Sequence, residues 1–583
     1  MTSLRAPARP PVGGSRAARR PLRRLDGTTL SHYVISAVAG VLIVGPIVPV
    51  VVASLWTTPL YESGGEPTLA NYRALLTDGA WWSAVWNSVL FATLMTVGSV
   101  VLGVTSAALF TRTNLPGRRL LAGIFLLPVV LPGIVLVLGW STMWSQAGFA
   151  ATWLRTNTFL SVPLDLYSVP GMALVGISVA APVVFLFSRN TLVAVDPALE
   201  DAARTSGAGP VRALTTVSVR LLRPTVLNST LLIFVIALEV LGLPLVLGFS
   251  NDIDMISTYL YNNWTNSSPP RHGLVSAGAV LMLLTVSGLL LLRNKLVGDV
   301  GRFAAVTGKP TGSRALDLGP IRWVLSAGML ALLSVMVLVP LAGVVMAAST
   351  TVFTPFISPW ASLTTANFEA VFANPVFTRA LVNSLLIASV GGALTTVAIA
   401  VLSVIAHRSD FRFRGGLQQS MMWPRMVPGL VTGMAFFWSV IVLDPSGAVR
   451  ASLWAMGLAF AVRNLALGYS AFYPALAGVG RELDLAARTA GATYWTAMRT
   501  IVLRLVLPAM GASFVLLFVA MLNDAEPAVF LVTDDTPVLG LTMLQLAATN
   551  IGGNVAALGV IQMVITLVVL GVGRGLFGVR PNA

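Results

Sequence analysis

The sequence has 583 residues, 56% of them hydrophobic and only 10% charged, with a net charge of +15. Soluble domains carry about 25% charge. There are no cysteines, which excludes disulfides, thiolate chemistry and cysteine metal sites. The three histidines, His32, His272 and His407, lie too far apart in sequence to read as a ligand set.

The first thirty residues, rich in Arg, Pro and Gly, read as a disordered basic arm, taken here as residues 1–33. The apolar block that follows is longer than a signal h-region and lacks a convincing A-x-A site, so it is expected to be retained as a membrane helix. Further apolar blocks of roughly 20 residues recur along the chain, the length an α-helix needs to cross the hydrocarbon. Backbone polar groups in lipid must be satisfied within the segment, so these blocks should be helical. Twelve spans are predicted, at about 34–56, 85–110, 120–144, 168–190, 226–248, 273–293, 323–348, 382–406, 420–442, 453–473, 509–532 and 553–575. The fold class expected is an all-α polytopic membrane protein.

Basic residues gather in alternate loops: Arg112, Arg118 and Arg119; Arg204, Arg212, Arg220 and Arg223; Arg302, Lys309 and Arg314; Arg408, Arg412 and Arg414; Arg481, Arg488, Arg499 and Arg504. The intervening loops hold single basic residues (Arg73, Arg155, Arg271, Arg379, Arg450) and acids such as Glu62, Glu66, Asp252, Asp254, Asp534 and Asp535. The positive-inside rule therefore places both termini in the cytoplasm. The same distribution accounts for the net charge without nucleic acid as a partner.

The chain repeats itself. LANYRALL at 69–76 resembles TANFEAVF at 365–372, Asn87-Ser88 matches Asn383-Ser384, and Pro132-Gly133 matches Pro428-Gly429, all offset by 296 residues. AARTSGA at 202–208 matches AARTAGA at 486–492 at an offset of 284, so a loop near 443–452 is 12 residues shorter than its counterpart. Six spans per half restore the starting side, which makes the halves parallel repeats about an axis along the membrane normal. The expected organisation is a first repeat over 34–293, a cytoplasmic linker over 294–322 and a second repeat over 323–583.

One loop is repeated between the fourth and fifth spans of each half: DPALEDAARTSGAGPVRALTTVSVRLLRP at 196–224 and RELDLAARTAGATYWTAMRTIVLRLVLP at 481–508. Asp196-Pro197 is a helix start, Ala202-Ala203 and Ala486-Ala487 offer a small-residue surface for close approach, and Gly207 and Gly491 suit a left-handed helix end. A helix tied to two spans in this way is a lever.

These loops resemble the EAA loop of ABC-importer permeases, with the pattern Glu-Ala-Ala, three residues, Gly, nine residues, Ile-x-Leu-Pro. The matching positions are Asp201, Ala202, Ala203, Gly207, Val217, Val219 and Arg220, then Leu485, Ala486, Ala487, Gly491, Ile501, Leu503 and Arg504. The leading acid is absent at Leu485, with Asp484 beside it, and the final Pro is Arg in both copies, with Pro224 and Pro508 four residues later. A fused twelve-span chain of this size is similar to the ferric-iron permease family, with thiamine and aminoethylphosphonate permeases as relatives. The stretch 258–283 carries the same likeness. The resemblance implies a permease in the bacterial inner membrane. It would be docked by two copies of an ATP-hydrolysing subunit and served by an extracytoplasmic solute-binding protein, with no cofactor of its own, ATP being held by the partner subunits.

The nearest phosphate-loop lookalike, GRFAAVTGKP at 301–310, has Phe303 where the first Gly should stand and Pro310 after Lys309, so ATP hydrolysis is not expected of this chain. Glu239, Arg425 and Arg463 fall inside predicted spans, where each charge costs about 2.5–3.5 kcal/mol on insertion scales. Together with Asn523 and Asp524, at Glu239's depth in the second half, they are the candidates for the translocation path, the alternative being a structural ion pair. Pro128, Pro132, Pro424 and Pro428 should kink the third span of each half. An ion-coupled secondary transporter and a membrane scaffold are competing readings. Neither calls for two docking loops.

Overall fold

The computed structural model describes residues 27–159, 165–194, 219–248, 251–297, 316–549 and 552–577, with residues 199, 202, 203, 205–207 and 209. Most of the expected arm and linker, and Asp201, lie outside the described residues. Among the described residues the backbone is helical, with three isolated bridges in place of any sheet.

In the first half, α1 (Gly27–Val44) and α2 (Ile47–Ser54) form one span interrupted at Gly45-Pro46, where proline has no N–H to donate. Helix α1 starts at Gly27, inside the segment expected as arm. Next come α3 (Ala70–Thr77), α4 (Gly79–Arg112), α5 (Arg118–Val130), α6 (Gly133–Trp144), α7 (Phe149–Asn157), α8 (Val169–Ala194), α9 (Arg223–Glu239), α10 (Gly242–Leu247), α11 (Ile256–Thr265) and α12 (His272–Val297).

The second half runs α13 (Ile321–Leu333), α14 (Val339–Ala348), α15 (Ala366–Ala373), α16 (Pro375–Leu386), α17 (Gly392–Arg408), α18 (Arg414–Met422), α19 (Gly429–Leu443), α20 (Leu453–Gly478), α21 (Arg481–Thr489), α22 (Tyr494–Ala497), α23 (Leu507–Asn523), α24 (Ala528–Leu531), α25 (Leu539–Thr549) and α26 (Gly553–Phe577). Short π turns join α13 to α14 and α16 to α17 into single rods.

Eight helices among the described residues are long and apolar enough to cross a membrane, or ten if two sharply bent pairs each count as one. The difference from twelve has local causes. The predicted third span is parted at Leu131-Pro132 into α5 and α6, the counted span there being Gly133–Asn157, and its counterpart bends by 111° between residues 426 and 429. The fifth span stops at Glu239 and the eleventh at Asn523. The caps Val240 (ψ 127°) and Asp524 (ψ 137°) leave the helical region, with Pro244 inside the next short helix and Pro527 at the N-cap of the other. α20 is a continuous 26-residue helix, made less apolar by Arg463 and Asn464. The 12-residue change of offset is also explained, since α7 has no counterpart between α19 and α20.

Polar side chains lock the repeat at matching positions. Asp78 caps α4 by accepting from the Ala80 N–H at 2.9 Å, as Asn374 caps α16 by accepting from Val376 N–H at 2.9 Å. Asn71 donates to the carbonyls of Ser54 and Trp56, and Asn367 to those of Ala348 and Thr350. Asn87 donates to Asp254 O at 3.0 Å and Asn383 to Pro537 O at 2.9 Å, while Ser88 and Ser384 accept from the N–H of Ile256 and Leu539, both at 2.8 Å. The Asn-Ser pair thus ties the second span to the loop before the sixth. The first rod of each half also leans on the other half, α2 against α19 and α14 against α6.

The outer surface is apolar, with Val41, Val48, Val101, Val397 and Val568 exposed around the bundle, as lipid contact requires. Between α4 and α8 a Cβ on Gly103 would sit 2.7 Å from Ala181 O, so a small residue sets that close crossing. The end of the linker is pinned to the first half. Asn114 bonds Asp317 at 2.6 Å and the Leu318 N–H. With the Gly319 N–H, that amide holds the Asp317 carboxyl below its usual range.

Candidate functional site

The two Ala-Ala loops share one backbone geometry where both are described. The N–H of Ser206 bonds Ala202 O and that of Ala490 bonds Ala486 O, both at 3.1 Å. The next residue turns left-handed in each, Gly207 at φ +89° and Gly491 at φ +95°. A Cβ at either glycine would meet nothing within 4 Å, so backbone conformation, not crowding, calls for glycine there. Ala202 and Ala486 are exposed, and Ala203 and Ala487 half-buried. Leu199 and Leu483, at equivalent positions, are both exposed, and so is Leu485. Each loop therefore exposes a leucine and an alanine one helical turn apart, a small apolar face among the described residues.

Asp484 is not part of that face. It is buried and paired with Arg408 at 3.2 Å. Arg408 was not singled out from the sequence, although an Arg at the end of a span, with its twin at Arg112, was available as a signal.

Of the intramembrane candidates, the structure brings together Glu239, Arg463 and Asp524. Glu239, the last residue of α9, is buried and accepts from Arg463 in α20 at 3.1 Å. Arg463 also donates to Val427 O at 2.8 Å, the open carbonyl at the break before α19, and lies 3.6 Å from Glu526. Asp524 sits close enough to act on Arg463 electrostatically. The cluster joins the two halves, since Glu239 belongs to the first and the rest to the second. Glu526, two residues past Asp524 where α23 has ended, was missed. Its carboxylate lies against Gly429, where a Cβ would be 2.0 Å from Oε2, so the Pro428-Gly429 pair gives the acid room.

The other two candidates stand apart. Asn523 accepts from the buried Gln562 at 3.1 Å. Arg425 is exposed in the short turn 423–426, on the side of Arg293.

At the end of the bundle opposite the Ala-Ala loops, an aromatic cluster closes the seam. Trp264 of the first half meets His272 at 4.5 Å, and Phe437 and Phe530 of the second half at 4.8 Å each, all edge-on. Tyr61 hydrogen-bonds His272 at 3.0 Å, and Trp438 donates to the buried Ser276 at 3.2 Å. Edge-to-face rings contribute about 0.5–1.5 kcal/mol per pair beyond area. Their partners lie in distant segments, which left no local signal.

The chain matches the sequence profile described as "Binding-protein-dependent transport system inner membrane component" twice, over residues 99–297 and 399–576. A putative ferric transport system permease protein of Haemophilus influenzae is 27% identical over 501 residues, 81% of this chain and 76% of the relative. A ferric transport system permease protein of Actinobacillus pleuropneumoniae is 26% identical over 494 residues, 83% of this chain and 69% of the relative. The molybdenum transport system permease protein of Escherichia coli is 31% identical over 168 residues, 29% of this chain and 72% of that protein. A repeated profile, a repeated set of backbone ties and a helical, lipid-facing exterior agree, and the chain belongs to the binding-protein-dependent transport system inner membrane component family, carrying two copies of the family's unit in one polypeptide.

Proposed function

We propose that this chain forms both halves of the translocation pathway of an ATP-driven importer of ferric iron, lying in the inner membrane with both termini in the cytoplasm. Two ATPase subunits dock on the loops at 196–224 and 481–508, one per half, and an extracytoplasmic solute-binding protein delivers the cargo at the aromatic end of the seam. The single observation that carries the reading is the matched geometry of the two loops. Two like faces on a pseudo-twofold scaffold suit a dimeric partner. Two relatives spanning most of the chain are named for ferric transport, which supports iron over thiamine or aminoethylphosphonate.

Ion-coupled transport receives less support, since Glu239 is engaged by Arg463. Selection of cargo falls to the binding protein, so the permease need hold no iron ligands.

The chain lacks cysteine, so docking can be tested by placing single cysteines. Ala202→Cys and Ala486→Cys should each cross-link to the ATPase subunit through a maleimide that carries a photoactivated benzophenone. Absence of both products in a complex that hydrolyses ATP would contradict the docking sites.

A further inference from the structure

Arg112 is the last residue of α4 and Arg408 the last of α17, the second span of each half. Both are buried. Arg112 donates to Leu192 O at 2.6 Å and Arg408 to Leu476 O at 2.8 Å. Each carbonyl belongs to the third residue from the end of its helix, α8 and α20. A guanidinium there adds to the long 3.3 Å bond that Leu476 O accepts from the Val479 N–H, and sits at the negative end of the helix dipole. Arg408 also donates to Val479 O and to Asp484 in the first turn of α21. Arg481 returns a bond to His407 O at 2.8 Å. At the same offset the first half carries a carboxylate, Glu200.

We infer that Arg112 and Arg408 are positioning residues for transport, clamping the second span to the end of the fourth at the root of each coupling loop. In Arg408 the planar fork reaches two helices at once, which a lysine ammonium does not reproduce. With the clamp closed, a displaced loop carries the second and fourth spans as one body. With it open, the loop swings on its own and ATP hydrolysis is spent without moving the pathway. The inference rests on the importer reading.

The test reconstitutes the full chain with its ATPase and binding protein, and measures ferric-iron uptake and ATP hydrolysis in the same vesicles. Absence of ATP-driven uptake by the parent complex would defeat the importer reading itself. With parent uptake in hand, Arg408→Gln and Arg112→Gln should assemble and hydrolyse ATP while iron moved per ATP falls about ten-fold. Arg408→Lys should fall between, and Asp484→Asn, which keeps the acceptor oxygen, should lose less than Arg408→Gln. An unchanged ratio, or uptake and hydrolysis falling in proportion, would overturn the clamp. Failure of every variant to assemble would overturn it too, in favour of a purely structural role.

Discussion

Glu239, at the end of a helix in the first half, accepts a hydrogen bond at 3.1 Å from Arg463, in the middle of a helix in the second. The pair is separated by 224 residues in sequence and joins the two repeats at the depth where α9 and α23 stop. Neither charge belongs in hydrocarbon alone, so each makes the other tolerable, and the partnership fixes the seam.

Removing Arg463 leaves Glu239 and Glu526 without their shared cation, whereas removing Glu239 leaves Arg463 beside Glu526. Arg463→Met should therefore destabilise the chain by about 3–5 kcal/mol, Glu239→Ala by less, and the two together by clearly less than the sum of the single changes. Thermal unfolding of the four proteins in detergent gives the coupling, and additive effects would show that the pair does not interact.

The same pair lies beside the break before α19, because Arg463 also holds Val427 O. Glu239→Gln keeps the side-chain size and an acceptor oxygen while removing the charge. It should slow uptake at normal membrane levels of the protein. Transport assays normalised to protein content check this, and uptake equal to the parent's would remove Glu239 from the pathway.

Gly491 adopts φ +95° with open space around it. Gly491→Ala should thus cost only the backbone strain, about 1–2 kcal/mol, and still recruit the ATPase. Gly491→Arg adds a bulky charge to the apolar face and should abolish recruitment at that loop. Co-purification of the ATPase with each variant distinguishes the two. Equal loss in both would mean that strain, not the exposed face, governs docking.

Trp264 spans the seam to Phe437 and Phe530 and meets edge-on the Trp438 that donates to the buried Ser276. A Ser276→Cys variant should resist a membrane-impermeant maleimide added from the extracytoplasmic side. Adding Trp264→Ala should make that thiol reactive. Labelling followed by mass spectrometry reads the result, and a thiol that stays protected would show that Trp264 does not seal the mouth.

Much of this architecture was legible because its ties are short side chains at fixed spacing. Asn87-Ser88 and Asn383-Ser384 recur since both pairs do the same job on the same backbone groups. Gly207 and Gly491 recur since the loop ends left-handed in both copies. The breaks at Leu131-Pro132 and Val427-Pro428 were signalled by proline, though as kinks rather than separate helices. What escaped was long-range pairing. Nothing local in NDAEP says that Glu526 turns toward Arg463, or that α2 and α14 pack on the opposite halves. Hydrophobic periodicity reports that a face is buried, but not against which segment.

ATP-driven import is tested most directly by uptake into proteoliposomes holding this chain, its ATPase and its binding protein. Ferric iron, thiamine and aminoethylphosphonate would be offered separately, with a Gly207→Arg/Gly491→Arg double variant alongside. ATP-dependent accumulation of ferric iron that the double variant abolishes is the expected result. Uptake that proceeds without ATP, driven by an ion gradient and indifferent to the double variant, would contradict it.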